Sequence, residues 1–448
     1  MKKLLPLIIS LTLGGIHLAH ADDLAEIYNQ AKENDPQLLR SKADRDAAFE
    51  AIESSRGNLL PQINLTAGYN INRNINAHNS DPISISHNAT EQNAFTAGIN
   101  VSQELYRRDS WVNLDIAEQN ARQQDSAYAA EQQAMILRVS QAYFDVLQAQ
   151  DNLTFIQAEK KAVGRQLEQT KQRFEVGLSA ITDVHDAQAQ YDSVLADEIL
   201  AKNDVTNSYE ALREITGQPH KDLSVLDTQR FSANVPRTDQ NALVDEAQQK
   251  NLDLLTARIS QDIAKSNISL AQSGYTPSLT LDGGYQYSDI DEHDDHSATR
   301  NYTSNDYNIG VNLVVPLYQG GTTNADVKTA QYQYVSASQQ LEATYRNVVK
   351  NVRAYYNNIN ASIGSIRAYE QSVVSAKSAL EATEAGYEVG TRTIVDVLDS
   401  TRRLYDANRQ LSDARYSYVI SVLQLKQAVG TLTEQDILDI NAGLKRPS

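Results

Sequence analysis

The chain has 448 residues, no cysteine and a formal net charge of −17 at pH 7. Without cysteine it has no disulfide framework, no thiolate metal site and no N-terminal cysteine to carry a lipid. Its acidity disfavours nucleic acid as a partner, because such binding relies on clustered Lys and Arg, and it suits cations or basic partners better.

The first 21 residues have the pattern of a secretory signal peptide. Lys2 and Lys3 precede an apolar run from Leu4 to Leu18, and Ala19-His20-Ala21 is a small-x-small cleavage site. Cleavage after Ala21 would leave a charge of −19 (38 Lys and Arg against 57 Asp and Glu). An uncleaved anchor is the alternative. No later stretch offers the ~20 apolar residues of a spanning helix, so we expect any membrane crossing to use strands.

Two distant stretches share the motif Val-Gly-x-x-x-Ile-x-Asp-Val-x-x-Asp. They are RFEVGLSAITDVHDAQ at 173–188 and GYEVGTRTIVDVLDST at 386–401, with Gly177 and Gly390 213 positions apart (390 minus 177). Collinear similarities continue on both sides, which predicts two domain-sized repeats rather than a solenoid. The predicted divisions are a signal peptide at 1–21, a first repeat at 22–216, a linker at 217–237, a second repeat at 238–429 and a tail at 430–448.

Each repeat begins with a helical pattern and continues with two strands. Residues 22–56 are rich in Ala, Glu, Gln and Leu, and then apolar residues alternate with polar ones, as at Ile63, Leu65 and Ala67. This period of two is typical of strands with one apolar and one polar face. The strands are predicted at 59–72 and 94–105 in the first repeat and at 277–288 and 307–318 in the second. An ordinary two-sided sheet in a soluble domain is the alternative.

A very long helix follows each strand pair. The segments 107–175 and 322–388 contain no proline and repeat apolar residues at heptad-like spacing, as at Ile136, Val139 and Tyr143. At ~1.5 Å per residue each would be roughly 100 Å long. Gly177 and Gly390 end them, and shorter helices are predicted at 181–215 and 394–429. The first helix of each repeat and the shorter helix together have about the length of the long helix, so we expect the two to stack end to end beside it.

Four strands cannot close a transmembrane sheet, because the smallest barrels need about eight and an open edge is not tolerated in lipid. Two chains would supply eight strands with a filled interior, whereas three would supply twelve around a lumen. Aromatic residues near strand ends suit a membrane-interface girdle, and they are Tyr69, Phe95, Tyr106, Tyr285 and Tyr318. The sequence therefore favours a homotrimeric tube with a barrel at one end.

Several motifs carry a resemblance over essentially the whole chain. They are the paired VGxxxIxDV turns, LLPQINLTAGY at 59–69, PLYQGG at 316–321 and the opening MKKLLP. On these the chain resembles the outer membrane factor family, the channels of Gram-negative efflux pumps and type I secretion systems, and within it the branch without a lipid anchor. The resemblance implies a mixed α/β membrane protein. It would be a homotrimer with a 12-stranded outer-membrane β-barrel, a periplasmic α-helical coiled-coil tunnel, and an equatorial band that includes the linker and tail.

The resemblance also implies a function. An outer-membrane duct of this family exports drugs, bile salts, other small toxic molecules or proteins, and so contributes to multidrug resistance. It is recruited by an inner-membrane transporter of the RND, ABC or MFS type through a periplasmic adaptor, and outer-membrane lipid surrounds its barrel. A coiled-coil scaffold or adhesin of the cell envelope is the alternative from another class.

The repeated turns supply candidate pore residues. Asp396 and Asp399 are three residues apart and so share one helix face. In a trimer they would form six carboxylates around the axis, and the resemblance implies that this ring selects cations. The alternative is helix-start chemistry, because the helix dipole favours acids in a first turn by ~0.3–1 kcal/mol. Asp183 and Asp186 hold the same positions in the first repeat, and Asp186 is interpreted as a solvated helix acid.

A closed-state lock is also implied by the resemblance, with opening as an iris-like movement of the inner helices. The predicted polar links join Arg392 to Thr182 and Asp183, Tyr387 to Asp183, and Gln166 to Glu384. Each would be worth ~1 kcal/mol when partly exposed, so a docking partner could break several together. The alternative is that Tyr387 only packs and Arg392 only faces water.

No stretch predicts catalysis or a cofactor. The loop SDIDEHDDHSATR at 288–300 resembles a metal site, but an EF-hand counted from Asp289 would need Gly where Asp294 stands and Glu where Arg300 stands. We interpret it as a solvated extracellular loop, in which His293 and His296 could bind divalent ions adventitiously. Common catalytic motifs are absent from the sequence, so neither an enzyme nor a metal centre is predicted.

Overall fold

The computed structural model describes residues 22–78, 86–294 and 300–446, and the predicted signal peptide lies outside them. The first repeat contains α1 Leu24–Asn34, α2 Pro36–Gly57, β1 Gln62–His78, β2 Ser86–Tyr106, α3 Arg108–Glu175 and α4 Ile181–Thr216. The remaining elements are β3 Val225–Leu226, α5 Gln240–Lys250, α6 Leu252–Ser273, β4 Ser278–Asp294, β5 Arg300–Val314, α7 Thr322–Glu388, α8 Ile394–Val429, α9 Glu434–Asn441 and β6 Leu444–Lys445.

The chain forms two compact units, each assembled from separate segments. The first unit contains the described residues within 1–39, 131–251 and 348–448, and the second contains those within 40–130 and 252–347. Among the helices that the structure describes, none combines the length and the hydropathy needed to cross a membrane.

The second unit contains one antiparallel sheet, with the strands in the order β1-β2-β4-β5. The two repeats meet where β2 pairs with β4, and there Ile99 lies opposite Tyr285. Alternate apolar side chains of the outer strands are highly exposed, with Leu65 at 78% and Ile309 at 83%. Because β1 and β5 are the ends of the sheet order, each pairs along one side within the chain.

The strands extend further into the polar segments than the alternating pattern predicts. The first pair is predicted at 59–72 and 94–105, whereas β1 runs to His78 and its ladder continues to the pair His78 and Ser86. Backbone hydrogen bonds join antiparallel strands whatever the side chains are. Loss of apolar alternation therefore does not end the strand.

The helix predicted at 22–56 is divided into α1 and α2 at Asp35. Pro36 has no N–H and disfavours helical geometry in the preceding residue, and Asp35 is extended with a ψ of 114°. Its carboxylate accepts a hydrogen bond from the backbone of Gln37 at 2.9 Å and pairs with Arg138. The second repeat breaks at the equivalent place without proline, at Asn251, whose side-chain amide donates to the carbonyl of Ala428 at 2.9 Å.

The linker and tail join each other and the beginning of the described chain. Strands β3 and β6 pair antiparallel, with Val225 opposite Lys445. The backbone N–H of Asp22 donates to the carbonyl of Asp222 at 2.9 Å. The buried ring of His220 lies 2.7 Å from the Asp22 carboxylate, from Nδ1 to Oδ2. Three distant parts of the sequence thus meet in the first unit.

Candidate gate at the two repeated turns

The two Val-Gly motifs end α3 and α7 with the same hydrogen-bonded turn. Gly177 and Gly390 adopt φ values of 79° and 78°, in the left-handed region that favours glycine. Leu178 N donates to the Arg173 carbonyl at 2.8 Å, and Gly177 N donates to Phe174 at 2.9 Å. The second repeat forms the equivalent bonds from residues 391 and 390 to residues 386 and 387, at 2.9 and 3.1 Å. Both turns are Schellman motifs, so the repeated glycine marks a helix end.

The first aspartate of each motif caps the helix that follows. Oδ2 of Asp396 accepts hydrogen bonds from the backbone N–H and the hydroxyl of Thr393, both at 2.9 Å, in a capping box. These bonds, the backbone one first, lower the pKa of Asp396. In the first repeat, Asp183 accepts from Ala180 N at 3.3 Å and from the Ser179 hydroxyl at 2.6 Å. Helix capping therefore accounts for these two acids within a single chain.

The second aspartate of the motif is ion-paired in α8. Asp399 lies 2.7 Å from a guanidinium nitrogen of Arg402 and 2.7 Å from one of Arg403. Both arginines are exposed, whereas Asp399 is partly buried. These two cations are additional to the predicted site, although spacings of three and four residues in a helix indicate such pairs. In the first repeat, Asp186 lies exposed on α4.

Three predicted lock residues line one cleft of about 560 Å³ in the first unit, namely Gln166, Glu384 and Tyr387. Gln166 is only 8% exposed, and its amide donates to the Thr401 hydroxyl at 3.0 Å. Its Oε1 is shielded from solvent and has no hydrogen-bond partner among the described residues. The structure thus brings Gln166 near Glu384, while the hydrogen bond goes to Thr401.

The contacts of Tyr387 are made by its aromatic ring. The Cζ atom of Arg173 lies 4.7 Å from the ring centroid, and the ring packs on the apolar cluster that includes Val163 and Ile394. The Tyr387 hydroxyl is shielded from solvent and has no partner within the described residues. Arg173 is not predictable as a site residue from the sequence, because its contact joins two helices far apart in the chain.

Arg392 and Thr182 are both exposed. In the described part of this single chain, no hydrogen bond joins either Arg392 or Tyr387 to Asp183, which is occupied by its own turn. The links of the lock therefore stay predictions about an assembly of chains. Residue Arg392 instead packs along its own turn, with its Cγ close to Gly386.

The acidic loop at 289–300 gives no metal centre among the described residues, where no group of three or more His, Cys, Asp and Glu side chains could hold an ion. Residues 295–299, which include His296, lie outside the described residues. Strand β4 continues to Asp294, so the first part of the predicted loop is a strand.

Comparison with known proteins gives a consistent match. The family described as outer membrane efflux protein matches residues 27–218 and 243–431. The outer membrane protein TolC of Vibrio cholerae is 67% identical over 446 residues, which are 99% of this chain and 99% of that protein. The alkaline protease secretion protein AprF of Pseudomonas aeruginosa is 26% identical over 94% of this chain and 86% of that protein. The crystal structure of the Campylobacter jejuni CmeC outer membrane channel has a TM-score of 0.76 at 18% identity, covering 94% of this chain and 90% of that chain.

Proposed function

The chain belongs to the outer membrane efflux protein family and is an outer-membrane exit channel, and from that premise we propose how it works. Three copies form the duct, and an inner-membrane transporter of the RND, ABC or MFS type recruits it through a periplasmic adaptor. The cargo is drugs, bile salts and other small toxic molecules, or proteins. Protein cargo is supported by the relative from Pseudomonas aeruginosa, whose name refers to protease secretion.

The observation that carries the trimer is the four-stranded sheet. Its outer strands β1 and β5 each pair along one side within the chain, and their alternate apolar side chains are exposed to 78% at Leu65 and 83% at Ile309. In lipid, an unpaired strand edge would leave backbone groups without hydrogen bonds. Three copies joined edge to edge give twelve strands, enough to surround a lumen. The exposed apolar faces then contact lipid, as in transmembrane barrels generally.

The proposed gate lies at the repeated turns. Three chains bring three copies of Asp396 and Asp399 together as a cation-selective ring. Because Arg402 and Arg403 already pair with Asp399, we assign the larger share of the selectivity to Asp396. The closed state is held by the links from Arg392 to Thr182 and Asp183, from Tyr387 to Asp183, and from Gln166 to Glu384. Opening separates them in an iris-like movement.

Single-channel recording of the purified protein in planar bilayers tests this function. We expect a small, cation-selective conductance whose selectivity falls in Asp396→Asn/Asp399→Asn. Asparagine keeps a side-chain oxygen for the helix cap, so lost selectivity would report lost charge. The matched control is Asp186→Asn, the position in the first repeat that corresponds to Asp399, because Asp183 belongs to the proposed lock. Arg392→Ser with Tyr387→Phe is expected to raise the conductance.

The other outcomes separate the parts of the proposal. If selectivity is unchanged in Asp396→Asn/Asp399→Asn, the two aspartates serve only helix capping and ion pairing. The proposed duct is not affected by that result. If Arg392→Ser/Tyr387→Phe conducts like the wild type, the lock is wrong. A folded oligomer that conducts no ions would favour a scaffold or adhesin of the envelope.

A further inference from the structure

The two repeated turns differ at several positions, and one of them lies four residues before the left-handed glycine. Arg173 in the first repeat corresponds to Gly386 in the second, because both lie four residues before the turn glycine (177 minus 173 and 390 minus 386). Phe174 likewise corresponds to Tyr387. The carbonyls of Arg173 and Gly386 accept the same closing hydrogen bond of their turns, so the backbones match while the side chains do not.

We propose that Arg173 and Gly386 are positioning residues of the closed gate, which place Tyr387 and Arg392 respectively. This inference rests on the proposed function, since it assigns two further residues to the same gate. Arg173 orients the tyrosine ring by lying against its face, and Gly386 provides the space that the stem of Arg392 occupies.

Arg173 contacts the ring of Tyr387 and does not hydrogen-bond to its hydroxyl group. The guanidinium carbon lies 4.7 Å from the ring centroid, within the range of a cation–π interaction. Both Nε of Arg173 and the Tyr387 hydroxyl are shielded from solvent and lack a hydrogen-bond partner among the described residues. A shielded hydroxyl without a partner is costly. The ring is therefore fixed by Arg173, while its hydroxyl stays available for the proposed link to Asp183.

The remaining charged groups of the cleft do not replace this contact. Glu168, Glu384 and Glu388 line the cleft together with Arg165 and Arg173. The cation over the Tyr387 ring is Arg173, whose guanidinium can lie flat on an aromatic face in a way that the ammonium of a lysine cannot. A lysine at position 173 would keep the charge and lose that stacking geometry.

The space at Gly386 is occupied by Arg392. A Cβ atom at position 386 would lie 2.7 Å from Cγ of Arg392 and 3.2 Å from the hydroxyl oxygen of Thr391. The first contact involves the stem of the arginine rather than its mobile end, so Arg392 would have to leave its position. Gly386 lies within α7, outside the positive-φ positions. Glycine is needed at position 386 because the Arg392 side chain approaches its Cα closely, and not because the backbone there is strained.

Planar-bilayer recording with paired substitutions tests Arg173. We expect Arg173→Gln to favour the conducting state by about two- to fivefold, the loss expected for a cation–π contact that is only partly buried, and Arg173→Lys to have a smaller effect. Arg173→Gln should act equally in Tyr387→Phe, which keeps the ring, and should add nothing in Tyr387→Leu, which removes it. Each variant is first checked for the oligomeric state and helix content of the wild type.

An equal effect of Arg173→Gln in the Tyr387→Leu background, or no effect in the wild type, would overturn the role of Arg173. Gly386→Ala tests the second position independently. Alanine is a better helix former than glycine, so we expect an unchanged or higher unfolding temperature together with a raised conductance. Wild-type conductance with lowered stability in Gly386→Ala would overturn its role. A wild-type oligomer that conducts no ions would instead reject the proposed function itself.

Discussion

Asp183 and Asp396 occupy the same position in the two repeated turns, 213 residues apart (396 minus 183), and each accepts a hydrogen bond from the backbone N–H three residues earlier. Their other partners differ: Asp396 also accepts from Thr393, the N-cap residue of α8, whereas Asp183 accepts from Ser179, because Ala180 has no hydroxyl to offer. Both repeats have thus kept the carboxylate, but the hydroxyl that donates a hydrogen bond to it comes from a different position in each repeat. The two helix starts should therefore respond differently to substitution of the residue that pairs with the aspartate.

The start of α8 should loosen in acid. Hydrogen bonds from Thr393 lower the pKa of Asp396 below its ordinary value of 3.8. Because the pKa is lowered in the folded state, the ionised aspartate stabilises the cap at any pH above the ordinary pKa. This stabilisation is lost as the pH falls through the lowered pKa. We expect hydrogen exchange at residues 394–398, corrected for intrinsic rates, to accelerate in that window. Asp396→Asn should show faster exchange at neutral pH and no transition in the window; a wild-type transition retained in this variant would contradict the assignment.

Glu198 should contribute to stability over most of the pH range. Its buried carboxylate lies 2.7 Å from Lys160 and 2.8 Å from Lys202. The hydrogen bonds from Lys160 and then Lys202 lower its pKa to about 2. Because the folded-state pKa is lowered, the stabilisation is complete above the ordinary pKa and is lost as the pH falls through about 2.

Thermal unfolding of Glu198→Gln tests this. We expect the same drop in unfolding temperature at pH 7 and at pH 5, shrinking as the pH falls through the acid range. Glu210→Gln on the same helix is the control, since Glu210 and its partner Arg213 are both largely exposed at 3.5 Å, and such pairs contribute little. Equal drops in the two variants would show that Glu198 is an ordinary surface acid.

Two turn glycines should differ in their tolerance of alanine. Gly177 and Gly430 have φ values of 79° and 85°, so alanine at either is strained by roughly 1–2 kcal/mol. A Cβ at Gly177 meets nothing within 4 Å, whereas one at Gly430 would lie 2.2 Å from the carbonyl oxygen of Lys250. We expect Gly430→Ala to lose a further ~1–3 kcal/mol of unfolding free energy through overpacking. Denaturant unfolding of both variants measures the difference, and equal losses would mean that the Lys250 backbone moves away freely.

The partner of Gln166 can be identified by comparing stability with conductance. Thr401→Val removes the acceptor of the buried Gln166 amide, and an unpaired buried polar group costs about 1–3 kcal/mol. Glu384→Gln keeps the size of an exposed side chain that does not bond Gln166 in the single chain. We therefore expect Thr401→Val to lower the unfolding free energy and Glu384→Gln to change only the conductance. The reverse pattern would show that Gln166 pairs with Glu384 and not with Thr401.

The fold class follows from local patterns that the chain repeats. Alternation at Ile63, Leu65 and Ala67 predicts strands, and the proline-free segment 322–388 predicts a long helix, where the structure has α7. The comparisons confirm the resulting mixed fold of four strands and long helices. These features are predictable because one face of each element follows the period of its backbone.

Features that depend on distant contacts were not predicted. The break at Asn251 has no proline to signal it, and the side-chain hydrogen bond at the break goes to Ala428, 177 residues away. The pairing of β3 with β6 involves two residues in each strand, too few to form a pattern. The cation over Tyr387 comes from another helix, and a sequence pattern records only neighbours along the chain.

The pairing of β3 with β6 has a consequence for the order in which the protein is made and folded. Val225 pairs with Lys445, 220 positions later (445 minus 225), and Asp22 hydrogen-bonds to the same linker. A chain delivered from its amino end presents Asp22 long before Lys445, with both repeats between them. Contacts this distant in sequence form slowly, and partly folded chains expose surfaces that aggregate. The first unit can therefore be completed only after Lys445 has been delivered, with both repeats already made, so the unfinished chain needs protection during its synthesis.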